Sequence, residues 1–176
     1  MAQTNALHDV TAANGGTQYL IFRLGAEEYA VEILRVQEIK GFSTVTPIPY
    51  APPQIKGVIN LRGSVVPVIG LRERFGMPSL AYDKTTVIVV VNIGAKVIGI
   101  VVDAVTDVLA IGRENLDTAP DLGPDIDTSF IVGMARLAER LVVVLDVEKA
   151  LGHSLIASAE SHRSGEVAEA HNGDVT

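Results

Sequence analysis

Two long stretches of this chain can be laid one over the other, and that limits its fold more than any single motif. With an offset of 69, Gly25 falls on Gly94, Tyr29 on Ile98, Val31 on Ile100, Ile33 on Val102, Val36 on Val105, Glu38 on Asp107 and Ile39 on Val108. With an offset of 76, Gly57 falls on Gly133, Leu61 on Leu137, Val66 on Val142, Val68 on Val144, Ile69 on Leu145, Leu71 on Val147 and Gly76 on Gly152. The difference is a seven-residue insertion in the second loop. Apolar residues match by chance in a Val-rich chain. Glycines, acids and helix stops recurring in the same order do so far less often.

The repeated unit reads as β-structure. Tyr19–Phe22 runs as a strand into a turn at Gly25, and Glu28–Ile33 alternates with period two, placing Tyr29, Val31 and Ile33 on one face. Thr46-Pro47-Ile48-Pro49 and Ala51-Pro52-Pro53 forbid helix and central strand, so that stretch is an extended loop. Ile55–Arg74 reads as strand, a turn at Asn60-Leu61-Arg62-Gly63, a second strand, and a short helical piece, Leu71–Phe75. In the second half, Thr86–Ile93 is too uniformly β-branched for anything but a buried strand. Val97–Val102 and Leu141–Leu145 add strands, and a short helix, Val147–Leu151, stops at Gly152.

The fold class is therefore all-β: a duplicated unit of about five strands, each too small for a two-sheet sandwich and so closed as a small barrel. Closure also hides strand edges that would otherwise promote aggregation. Val36, Ile39, Val105 and Val108 repeat as pairs, which predicts a third apolar region shared between the barrels. Residues 1–17 read as a flexible leader, 18–152 as the folded domain with halves of about 18–76 and 77–152, and 153–176 as a flexible tail with a frayed helical start.

Composition excludes several functions. The net charge of −7 opposes phosphate backbones and anionic lipid, and only four Tyr, four Phe and no Trp are available as base-stacking platforms. Nucleic acid is thus not an expected partner. No apolar run approaches the roughly 20 residues needed to span a bilayer, and the polar start lacks signal-peptide character, so a cytoplasmic location is expected, without direct membrane insertion. With no Cys there is no disulfide, thiolate metal site or thiol nucleophile. The four histidines, His8, His153, His162 and His171, lie in the leader, at the last turn or in the tail, where no general base is held rigidly. Asp121, Asp125 and Asp127 sit in a Pro/Gly loop without the ligand series of a calcium site. No phosphate-binding glycine motif is present. No enzyme, metal or cofactor is expected.

What remains is where the repeat breaks. Arg62 falls on Ala138 and Asn60 on Arg136. Arg62 is either a turn residue with a loose surface ion pair or a fork-shaped donor presented to a partner.

Three segments carry a resemblance. Glu28–Ile39 (EYAVEILRVQEI), Ile55–Ile69 (IKGVINLRGSVVPVI) and Gly99–Leu109 (GIVVDAVTDVL), with the Thr46–Pro49 loop, closely resemble the bacterial chemotaxis coupling proteins of the CheW family. The resemblance runs from about Gln18 to Leu151. It implies two SH3-like five-stranded barrels around a shared apolar core. It also implies a non-enzymatic adaptor linking methyl-accepting chemoreceptor cytoplasmic tips to the regulatory domain of the histidine kinase CheA, in arrays at the inner face of the cytoplasmic membrane. The implied partner surface comprises Val36, Glu38, Ile39, Gly57, Asn60, Leu61, Arg62, Gly63, Val105 and Val108. One departure is Gly70, where relatives commonly carry Asp; this removes a candidate cap from the following turn. An adaptor of a non-motility signalling array, or a small barrel binding nucleic acid or a ligand, stands as the alternative.

Overall fold

A computed structural model describes residues 16–42, 45–120, 122–124 and 128–161. Residues 1–15, the tail beyond 161, His8, His162, His171, Asp121, Asp125 and Asp127 lie outside the described residues, while Thr17, the last residue of the expected leader, opens the first strand. Among the described residues eleven strands run in order: β1 (Thr17–Leu24), β2 (Glu27–Glu32), β3 (Val36–Gly41), β4 (Ile55–Leu61), β5 (Ser64–Gly70), β6 (Val87–Ile93), β7 (Lys96–Val102), β8 (Ala104–Ile111), β9 (Leu116–Asp117), β10 (Ile131–Leu137) and β11 (Arg140–Leu145). Helix α1 (Leu71–Arg74) follows β5 and α2 (Val147–Leu151) follows β11. A third helix, α3, covers residues 153–161.

The repeat is visible strand by strand, with β1 to β5 and α1 answering to β6, β7, β8, β10, β11 and α2. The sheets do not divide where the repeat does. One is ordered β8-β1-β2-β11-β10-β9 and the other β3-β6-β7-β5-β4. Each half therefore lends its first hairpin to the other half's sheet, a correction to the expectation that each half closes by itself. The parallel pairings β2 with β11 and β5 with β7 seal the exchange.

Each sheet closes at one repeated place. The segment after β3 returns to β4, where Thr46 and Val58 exchange backbone hydrogen bonds of 2.8 and 2.9 Å. The segment after β8 returns to β10 as β9. Gly57 and Gly133 lie under these crossings. A Cβ at Gly57 would overlap the Thr46 carbonyl oxygen, and one at Gly133 would stand 2.6 Å from the Asp117 oxygen. The matched glycines are thus closure points, where backbone passes over backbone.

Alternation along the strands fills three cores. On β1, Tyr19 and Ile21 enter the first barrel while Leu20, Phe22 and Leu24 face the layer between barrels. On β6, Ile88 and Val90 enter the second barrel while Val89, Val91 and Ile93 face that layer. Strands buried on both faces need apolar residues at every position, which explains the unbroken Val/Ile run. Val36 belongs to the shared layer, and Ile39, Val105 and Val108 pack against it.

Residues 153–161, expected as a frayed helical start, are better ordered than that. Leu155, Ile156 and Ala159 are buried in the shared core, so this stretch is an ordered helix covering the layer rather than part of a flexible tail. Its apolar residues at spacings of three and four are the helical signal that a Ser/Ala/Glu-rich composition masks.

Candidate docking surface

The turn between β4 and β5 places Arg62 and Gly63 at φ of 51° and 89°, two consecutive left-handed residues. That geometry matches the right-handed twist of a hairpin and suits Gly well, but it costs a non-glycine residue about 1 kcal/mol. Asn60 supports it by accepting a 2.8 Å hydrogen bond from the Gly63 N–H. The side-chain oxygen of Asn60 is thereby committed to the turn. Arg62 projects from it and donates from Nη2 to Glu38 Oε2 on β3 at 2.8 Å. The Arg62 side chain is 65% exposed and that of Glu38 only 15%, so the carboxylate is seated and the guanidinium is largely presented to solvent.

The residues named from the sequence separate into groups. Glu38, Arg62 and Gly63 form one surface cluster, supported by Asn60. Val36 is buried in the layer between barrels, and Leu61 in the interior of the second barrel. Gly57 serves closure. Ile39, Val105 and Val108 are half-buried at the edge of the shared layer, on β3 and β8. Those strands are the end strands of their respective ladders. The exposed part of the set is thus an arginine–glutamate pair on one barrel, with apolar rims from both.

The second half answers with a cluster that the sequence comparison passed over. Arg140 gives Glu28 two hydrogen bonds, 2.9 and 2.6 Å, and a third of 2.8 Å to Asp107. Asp107 is the counterpart of Glu38, so both halves tie the same strand to the same hairpin through an arginine. Arg140 stands two residues past the counterpart of Arg62, and a fixed offset hides that. The second half therefore keeps an arginine clamp in shifted register. Ala138, the counterpart of Arg62, retains the left-handed turn at φ 58°. The hydrogen bonds from Arg140, against a smaller opposing effect of burial, hold the Glu28 carboxyl below the usual carboxylate range.

A further ion pair fixes the arrangement between elements. Arg72 on α1 grips Asp103 with bonds of 2.7 and 2.6 Å, and the Gly25 N–H adds one of 2.7 Å. The Arg72 hydrogen bonds, with that backbone donor, hold Asp103 below its ordinary pKa despite partial burial. The missing cap at Gly70 has an explanation as well. Asp146 caps α2 by accepting from the Lys149 N–H at 3.1 Å, whereas Gly70 offers no side chain to α1. Instead the Glu73 carboxylate folds back over Gly70, where a Cβ would overlap Oε2, and accepts from its own N–H. Lys56 at 2.8 Å and Ser79 at 2.8 Å hold it there.

Among the described residues, no group of three His, Asp or Glu could hold a metal ion, and no helix is long and apolar enough to cross a membrane. The family model for the CheW-like domain matches residues 18–154. The chain is 44% identical over 156 residues to the chemotaxis protein CheW of Klebsiella aerogenes, covering 89% of this chain and 91% of that relative. It is 36% identical over 145 residues to CheW of Rhizobium meliloti, covering 82% and 92%. The crystal structure of the scaffolding protein TtCheW from Thermoanaerobacter tengcongensis superposes with a TM-score of 0.72 at 30% identity, over 82% of this chain and 93% of that one. With the two interlocked barrels, these likenesses establish that the chain belongs to the CheW-like family, the scaffolding adaptors of chemotaxis signalling.

Proposed function

We propose that this protein couples methyl-accepting chemoreceptor cytoplasmic tips to the regulatory domain of the histidine kinase CheA, and that it does so in the cytoplasm, in receptor arrays at the inner face of the membrane. It works by binding rather than by catalysis. The observation that carries the reading is the Glu38–Arg62 pair. It has one seated carboxylate and one largely exposed guanidinium on a strained turn, with Ile39 next to Glu38 on β3 and Val105 and Val108 on β8 half-buried against the shared layer. A helical receptor tip laying an apolar stripe along those apolar residues would meet Arg62 at the edge, where a charge fixes register and suppresses wrong partners.

The pair is exposed, so Arg62→Ala should cost the fold no more than about 1 kcal/mol while removing the presented donor. The expected outcome is that Arg62→Ala and Glu38→Ala melt close to the parent protein but recover less receptor tip or kinase regulatory domain in a two-partner pull-down. Unchanged recovery of both partners by both variants would remove this surface from the mechanism.

A further inference from the structure

A groove lined by Tyr29, Phe75, Met77, Phe130, Val143 and Lys149 shares no residue with the Glu38–Arg62 surface or its apolar rims. We propose that it docks an acidic amphipathic helix of a partner protein. Val105, one of those rims, is separated from the groove by the width of a sheet. Val105, Phe22, Tyr29 and Val143 stand side by side on β8, β1, β2 and β11. Three strand spacings put the ends of that row roughly 14 Å apart. Val105 packs at the edge of the shared layer, and Val143 with Tyr29 begins the groove.

The groove has a volume of about 570 Å³, a size that holds a ligand's buried side chains. Its floor is aromatic. Tyr29 and Phe75 have ring centroids 5.7 Å apart, and Phe75 and Phe130 are again 5.7 Å apart. Met77 adds an adaptable thioether. The ring spacing is close to the roughly 5.4 Å rise of one helical turn, so apolar residues at i, i+4 and i+7 would each meet a ring. An added strand fits poorly, because β2, β11 and β10 are all paired on both sides and offer no free backbone ladder.

Charge selects the partner. The groove rim carries Arg74 and Lys149, and no described Asp or Glu lines it, in a chain whose net charge is −7. Lys149 is exposed. A helix with acids beside its apolar stripe is therefore matched, and one flanked by lysines is opposed.

The test uses the full-length protein and a fluorescent 18-residue peptide, helical by design, with Leu at i, i+4 and i+7 flanked by Glu. A Lys-flanked twin is the control. Saturable binding of the acidic peptide, weakened about tenfold by Phe75→Ala, supports the site. Phe75 packs against the core, so Lys149→Glu provides a variant whose folding is not at stake. It should weaken the acidic peptide several-fold and improve the Lys-flanked one. Absence of saturable binding, or binding indifferent to both substitutions, overturns the proposal. So does loss of binding in Arg62→Ala, which would put the peptide on the other surface. Tighter binding after truncation at Ser161 would make the chain's own tail the occupant. A concentration-dependent dimer dissolved by Lys149→Glu would make it a second copy. Either result also overturns the proposal.

Discussion

Arg62 and Arg140 make the same kind of bond for different ends. Arg62 holds one carboxylate and shows most of its surface to water, whereas Arg140 holds Glu28 through two bonds and Asp107 through a third. Arg140→Ala should accordingly destabilise the protein by about 2 kcal/mol, against at most about 1 for Arg62→Ala, when both are compared by urea unfolding. Equal costs would mean that the doubled pairing adds nothing. Gly70 presents the opposite case, a residue chosen for the side chain it lacks. Gly70→Asp would drive a new carboxylate into that of Glu73, at a cost of about 1–3 kcal/mol. Adding Glu73→Ala should recover most of that loss, since the new Asp can then accept from the freed N–H as Asp146 does in α2. The coupling between the two substitutions, read from a double-mutant cycle, decides the matter. Neither role was readable from the sequence. Position 70 showed only a missing cap, because its replacement arrives from three residues downstream and is held by Lys56 from another strand.

At the scale of elements, much was legible wherever one strand determines its own environment. Period-two alternation placed β2, an unbroken Val/Ile run placed β6, and paired Val36, Ile39, Val105 and Val108 foretold the layer between barrels. The repeated glycines were legible as a pattern but not as a purpose. Gly57 was assigned to a partner surface, yet it lies beneath the Thr46 crossing, and nothing local announces a contact between residues eleven apart in sequence. The packing of helix α3, expected only as a frayed helical start, was hidden for a different reason. Its composition is polar on average, and only the positions of Leu155, Ile156 and Ala159 carry the apolar face. Ending the chain at Gly152 should cost roughly 3–6 kcal/mol, from about 1.5–3 for each of the two large side chains it removes from the core. Calorimetry would register that as a lower melting temperature, and an unchanged one would mean that the helix merely rests on the surface.

The whole molecule is pinned across elements by the Asp103–Arg72 pair, which joins the β7–β8 connection to α1 and, through the Gly25 N–H, to the first hairpin. Asp103 titrates lower when folded than when unfolded, so its contribution is complete above the unfolded value, near 4, and is lost as pH falls through the folded one. Asp103→Asn should cost about 2 kcal/mol near neutrality. The difference from the parent should shrink as pH drops below about 4, and a constant difference would point to some other group. Which strands make which sheet was the one large feature the sequence withheld, because a repeat reveals equivalence between segments and says nothing about which copy pairs with which. The exchanged hairpins also give the two halves the character of tethered subunits. A half-length chain carrying one repeat could complete both sheets only by finding a second copy, so its stability would rise with its own concentration. Joining the halves turns that encounter into an intramolecular one at a fixed effective concentration, independent of how much protein the cell holds. For a scaffolding adaptor, folding would then remain sound at whatever copy number it is made.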